Sequence, residues 1–230
     1  MKTASRTIGV LAGLGLATLA ALVSPEATAA PAPSVDPDAA EFTIMGHRFR
    51  VPKVYLSGLQ KVIERTPEYK GDSVHMRAVM PDLIPITKRD TKYDEGGKAL
   101  REVVRFEILA APGYAGPNKA FFRDEYLRKC VGRRDGYLVC PHPTSVLDIY
   151  EVLVRVEGKR RLAFDCTKEG ARPSPHCRIT LPLLDDIELY ISFSRKHFDD
   201  ADRLLARVYD LVCSFLVAGP ARKLTVNHCD

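Results

Sequence analysis

The chain has 230 residues, 46% of them hydrophobic and 27% charged, with a formal net charge of +5 and no tryptophan. That is enough material for one sizeable core or two small ones. The charge is too mild for a dedicated nucleic-acid surface, and the absent tryptophan removes the best stacking side chain.

Residues 1–29 read as a cleavable secretory signal peptide. Lys2 and Arg6 give a basic start, Ile8 to Val23 runs without a charge, and Ala27-Thr28-Ala29-Ala30 supplies small residues for the peptidase. The expected cut follows Ala29, because a cut one residue later would leave Pro31 at the new N-terminus. The apolar run is shorter than the ~20 residues that span a bilayer core and ends at Pro25, so no stable membrane insertion is expected after cleavage. The leader removes Lys2, Arg6 and Glu26, so the mature charge falls by one and stays mildly positive. Residues 30–40 are rich in Pro and Ala and read as a flexible, extended spacer. One disulfide-stapled domain is expected over 41–230, located in the periplasm or outside the cell.

Order is expected from Glu41. Phe42 and Ile44 alternate with polar neighbours, Met45-Gly46-His47 can turn, and Phe49 and Val51 alternate again, which makes a short hairpin closed by Pro52. Residues 57–72 look irregular. From Ser73 the period is two, with Val74, Met76, Ala78 and Met80 on one face and His75, Arg77 and Val79 on the other; Pro81 ends the strand. Residues 88–98 form a charged loop. Arg101 to Leu109 alternates with Val104, Phe106 and Ile108 inward. Pro117 to Lys129 has helical spacing, carrying Phe121, Phe122, Tyr126 and Leu127. Val146–Val156 and Arg160–Cys166 form a long hairpin turning at Glu157-Gly158, with Tyr150, Val152, Val154, Leu162 and Phe164 as the inward set. Ile187, Leu189, Ile191 and Phe193 mark another strand. Phe198, Ala201, Leu205, Val208, Val212 and Phe215 then repeat at three and four residues, a helix with one apolar stripe that Gly219-Pro220 should stop. Strands follow strands without helical crossovers. The expected fold class is therefore α+β: a mainly antiparallel, curved sheet with the C-terminal helix packed on it and a shorter helix near 117–129.

All six cysteines, Cys130, Cys140, Cys166, Cys177, Cys213 and Cys229, lie in the mature chain, and an even count in an exported protein reads as disulfides. Sequence alone cannot choose the connectivity, but local context favours pairing of neighbours. Each bridge would close a loop of roughly 10–17 residues and contribute about 3 kcal/mol in the chain-entropy picture. The Cys and His spacings match no zinc pattern, so neither metal nor cofactor is expected.

No motif specifies a reaction. Gly96-Gly97-Lys98 lacks the remaining parts of a phosphate loop. Asp185-Asp186 is read as a turn. Asp199, Asp200 and Asp202 suit the positive end of a helix dipole or its cap better than a calcium loop. His75 faces outward beside Arg77 and is a weak site candidate, because a solvated strand face is the simpler reading. Arg133 and Arg134, with Lys159, Arg160 and Arg161, lie at expected turns and could converge into a basic patch for one acidic protein partner. Arg128 and Lys129 lie in the same part of the chain.

Phe49-Arg50-Val51-Pro52-Lys53-Val54-Tyr55-Leu56, followed by Val79-Met80-Pro81-Asp82-Leu83-Ile84-Pro85, resembles segments of exported Gram-negative proteins of unassigned role, some of which resemble immunity proteins against toxins delivered by type VI secretion. The resemblance covers roughly residues 42–86. It implies a binding or inhibitory protein with no catalytic residues to carry over. A small secreted hydrolase whose site assembles only in the fold, and an envelope-associated structural protein, are the alternatives from other classes.

Overall fold

The computed structural model describes residues 38–57, 72–86, 102–111, 119–143, 148–158, 160–219 and 229. The chain divides between Ser34 and Val35, and every described residue belongs to the second unit. The expected leader, most of the spacer, the 88–98 loop and most of 57–72 lie outside the described residues.

Two antiparallel sheets carry the fold. The smaller joins β1 (Ala39–Ile44), β2 (His47–Pro52) and β12 (Leu216–Ala218) in the order β1-β2-β12. Its hairpin turns through Met45 and Gly46, both at positive φ (50° and 82°), the geometry of a two-residue turn matched to strand twist. Strand β1 begins at Ala39, slightly before the expected start at Glu41.

The larger sheet has nine strands in the order β4-β3-β5-β11-β10-β9-β8-β7-β6. These are β3 (Ser73–Val79), β4 (Ile84–Pro85), β5 (Val103–Ala110), β6 (Gly132–Arg134), β7 (Tyr137–Pro141), β8 (Tyr150–Glu157), β9 (Arg160–Thr167), β10 (His176–Leu184) and β11 (Ile187–Ser194). The core lies on one face of this sheet. Met76, Phe106, Ile191 and Ile179 follow one another across four strands and are almost wholly buried. Helix Ala201–Ser214, written α2 below, adds Leu204, Leu205, Val208 and Val212 to the same cluster. Each such side chain contributes roughly 1.5–3 kcal/mol of burial. Phe164 meets Phe193 and Phe198 edge-on, with ring centroids 6.2 and 5.2 Å apart.

Strands β9 and β10 pair at two rungs, Cys177↔Cys166 and Arg178↔Asp165. The first rung is itself a disulfide, with Cα atoms 4.1 Å apart. Further along β10 the Tyr209 hydroxyl of α2 donates to the Pro182 carbonyl at 2.8 Å, so the helix satisfies strand backbone beyond the seam. The other bridges are Cys130–Cys140 and Cys213–Cys229, so all three join sequence neighbours and no cysteine is free.

Several expectations are corrected. The shorter helix expected near 117–129 is present, but as two separate turns and not as one continuous run. A single 3-10 turn, Lys119–Phe122, and one α-turn, α1 (Asp124–Leu127), are separated by extended backbone at Arg123, and Pro117 lies outside the described residues. The segment lies flat on β7–β9, tied back by the Cys130–Cys140 bridge. The proposed inward set of the long hairpin mixes two faces. Register places Leu153 opposite Phe164 and Val154 opposite Ala163, so Leu162 and Phe164 enter the main core while Val152 and Val154 pack outward under the 119–130 segment. Strands buried on both faces lose the alternation that would have shown this. Val79, expected outward, is buried, whereas Met80 lies past the strand end and is half-buried. The helix ends at Ser214, before Gly219-Pro220, because Leu216–Ala218 pairs with β2. Asp200 sits at the N-cap without a side-chain cap bond, and Asp202 instead takes Arg155 of β8 in a two-pronged pair at 2.5 and 2.6 Å.

Candidate partner-binding surface

The face of the large sheet turned away from α2 has two stretches. Over β7, β8 and β9 it is apolar and covered: Val152, Val154, Ala163 and Cys140 are buried beneath Tyr126, with Phe121, Phe122, Leu127 and Cys130 packed around them. The Tyr126 hydroxyl donates to the Pro141 carbonyl at 2.8 Å. Burial, reinforced by the Asp165 charge, pushes its pKa up to about 12.

Over β3, β5, β11 and β10 the same face is polar. One row reads Arg77, Arg105, Ser192, Arg178 and, on β9, Asp165. The next reads His75, Glu107, Tyr190 and Thr180. Arg178 forks onto Asp165 at 2.8 and 2.5 Å, and His142 approaches the same carboxylate at 3.3 Å. Burial works to lower the Arg178 pKa, but the Asp165 hydrogen bond and charge prevail and hold it above its ordinary value. Glu188, one row further, has its pKa raised by burial. Arg77 and Arg105 stand directly opposite each other, and neither has an ion pair or side-chain hydrogen bond among the described residues. Like charges facing across a ladder destabilise it by roughly 0.2–1 kcal/mol.

Sequence reasoning flagged His75 and left its partners unseen. Its Nδ1 lies 3.1 Å from the Glu107 carboxylate and its Nε2 lies 3.3 Å from the Ser73 hydroxyl. Serine, histidine and carboxylate therefore follow one another in the order of a nucleophile relay. Acyl transfer also needs donors converging on an oxyanion and a concavity that excludes water. Cross-strand hydrogen bonding accounts for the arrangement without such a site.

The basic loops do gather at one end of the large sheet, since the Asp135-Gly136 turn and the turn after Glu157 lie at the same end of β7 and β8. Their availability differs. Arg134 bonds Glu151 at 2.8 Å, and Glu151 is also the buried partner of Arg195. The Arg161 guanidinium lies 5.9 Å from the Phe122 ring centroid. Arg133 is exposed, Lys159 lies outside the described residues, and of Arg160 only the backbone is described.

The Asp185-Asp186 turn forms as expected, but Asp186 is buried and bonds the fully buried His47 at 3.0 Å, locking the small sheet to the β10–β11 turn. A dimple of about 40 Å³ between Met80, Pro81, His197, Arg203 and Arg207 is far smaller than the roughly 300–1,000 Å³ pocket of an organic substrate. No group of three or more metal-ligating side chains occurs among the described residues. No helix among them is long and apolar enough to cross a membrane.

Tyr55 and Leu56, from the first recognised segment, support β3: the Tyr55 carbonyl accepts the Arg77 N–H at 2.9 Å, and Leu56 bridges Met76. Leu83, from the second, is buried. These motifs are architectural.

No protein-family model matches the chain, and no curated protein does. Among solved structures, the chain is similar to an immunity protein of the Stenotrophomonas maltophilia type IV secretion system, at a TM-score of 0.54 and 12% identity, over 79% of this chain and 94% of that one. The likeness is one of fold. The neighbour belongs to a type IV secretion system, not to the type VI systems of the expected resemblance.

Proposed function

We propose that the chain is an exported binding protein that neutralises a protein toxin, as an immunity protein does. The observation that carries this reading is a fold shared with a secretion-system immunity protein over nearly the whole of that protein. The polar face over β3, β5, β11 and β10 supports it, because charged rows running across four strands suit a protein partner better than a small substrate. Three disulfides support an oxidising compartment, and with the 1–29 leader cut after Ala29 they point to the periplasm or beyond. The mild positive charge favours an acidic partner, with Arg133 and Arg161 of the basic loops as outlying contacts.

The test is survival in contact with kin. A strain lacking this gene is mixed with its parent, then complemented with the full chain or with a version lacking residues 1–29. Killing of the deletant and rescue by the full chain alone is the expected result. Equal survival of deletant and parent would overturn the proposal. The hydrolase alternative has the Ser73–His75–Glu107 order in its favour. Turnover of a nitrophenyl ester that Ser73→Ala abolishes would favour it.

A further inference from the structure

Arg105 lies on an interior strand with β3 on one side and β11 on the other, so its charge is not needed to protect a sheet edge. It is exposed, and it faces a second arginine, Arg77, directly across the ladder. Cβ atoms in such a pair stand about 4.5–5.5 Å apart, so two guanidinium forks can close on one carboxylate group. The carboxylates of the adjoining rungs already have cationic or hydrogen-bonding partners: Glu107 holds His75, and Asp165 holds Arg178 and His142. Ser192 is next in the row and offers a hydroxyl, and Tyr190 follows one row over. From β3 to β10 the row spans about 14 Å across the strands, the footprint of a polypeptide loop.

We propose that Arg77 and Arg105 form the carboxylate-binding centre of the partner interface and take an Asp or Glu from an acidic loop of the partner protein. The inference rests on the binding role proposed above and names the surface that performs it. Among the described residues the centre has no counter-charge, so the fold tolerates a like-charge pair that complex formation relieves.

Two experiments separate this inference from the function beneath it. In the first, arginine Nε–Hε resonances of the mature chain are followed while decaglutamate is added. Selective shifts at Arg77 and Arg105, suppressed by salt, are expected. Absent shifts, or equal shifts at every exposed arginine, would overturn the assignment whatever the protein's role. In the second, Arg77→Glu/Arg105→Glu is compared in the kin assay with Arg48→Glu/Arg123→Glu, which changes net charge equally on exposed positions elsewhere. The first pair should abolish rescue, consistent with binding at least ~100-fold weaker, while its melting temperature stays close to that of the parent chain, because one like-charge pair replaces another. The second pair should rescue fully. Full rescue by Arg77→Glu/Arg105→Glu would overturn the surface while leaving the immunity role standing. Loss of rescue with Arg133→Glu/Arg161→Glu alone would move the centre to the loops and also overturn it. Survival of the uncomplemented deletant would remove the function itself.

Discussion

One face of one sheet is built in two ways. Over β7–β9 it carries Val152, Val154 and Ala163 and lies beneath the 119–130 segment; over β3, β5, β11 and β10 it carries arginine, histidine, glutamate and tyrosine. Backbone pairing is antiparallel in both stretches, so the difference lies in the side chains and in what covers them. The covered stretch shows what this sheet does when the chain supplies its own lid. The polar stretch meets solvent at Arg105 and Arg178, and its composition suits a partner that comes and goes.

The contrast can be broken by exchanging residues. Val154→Lys places an unpaired charge beneath Tyr126 and should cost about 3–5 kcal/mol or prevent folding. The reciprocal Arg105→Val ends the like-charge opposition and should shift stability by no more than about 1 kcal/mol. Denaturant unfolding of both checks the pair, and comparable losses would erase the distinction.

Cys130→Ala/Cys140→Ala frees the lid at one end. It should cost about 3 kcal/mol in the chain-entropy picture, a fall in melting temperature of roughly 6–12 °C by calorimetry. Hydrogen exchange should quicken in β7 and β8 and stay unchanged in β3 and β5.

Tyr126→Phe removes the bond to the Pro141 carbonyl and should cost about 1 kcal/mol at neutral pH. Its pKa, raised from 10.0 to about 12, adds a pH signature. The fold favours the neutral phenol, so this group's stabilisation is complete below pH 10 and is lost as pH rises through about 12. The variant should therefore show a shallower loss of stability across that window.

Glu188→Gln should have the smallest effect. Burial favours the protonated form, so the stability this group contributes is present in acid and lost as pH rises through its folded pKa. The variant should gain slightly at neutral pH and match the parent chain in acid.

These differences also mark what could be read without coordinates. Strands β5 and β11 follow from clean alternation, β3 from alternation up to its last residue Val79, and α2 from one apolar stripe. Local context favours pairing of neighbouring cysteines without choosing the connectivity, and the three bridges join such neighbours. The two faces of the β8–β9 hairpin were illegible because Val152-Leu153-Val154 is an unbroken apolar run, and only cross-strand register sorts it. Strand β12 was hidden by its length, and the buried His47–Asp186 pair by the distance along the chain between its members. The same limit applies to the candidate surface. His75 and Arg77 were visible as outward residues of one strand. The opposition of Arg77 to Arg105, and the contact of His75 with Glu107, depend on a pairing that no local pattern encodes.

The central claim is that the polar stretch of this face meets a protein partner. The most direct measurement places the photo-crosslinker p-benzoylphenylalanine at Ser192, between Arg105 and Arg178, and separately at Val217 of β12, in cells exposed to parental kin. The account expects one discrete protein adduct from position 192 and none from position 217. Rescue of the deletant by the Ser192 variant without an adduct at 192, or with its adduct at 217 instead, would contradict it.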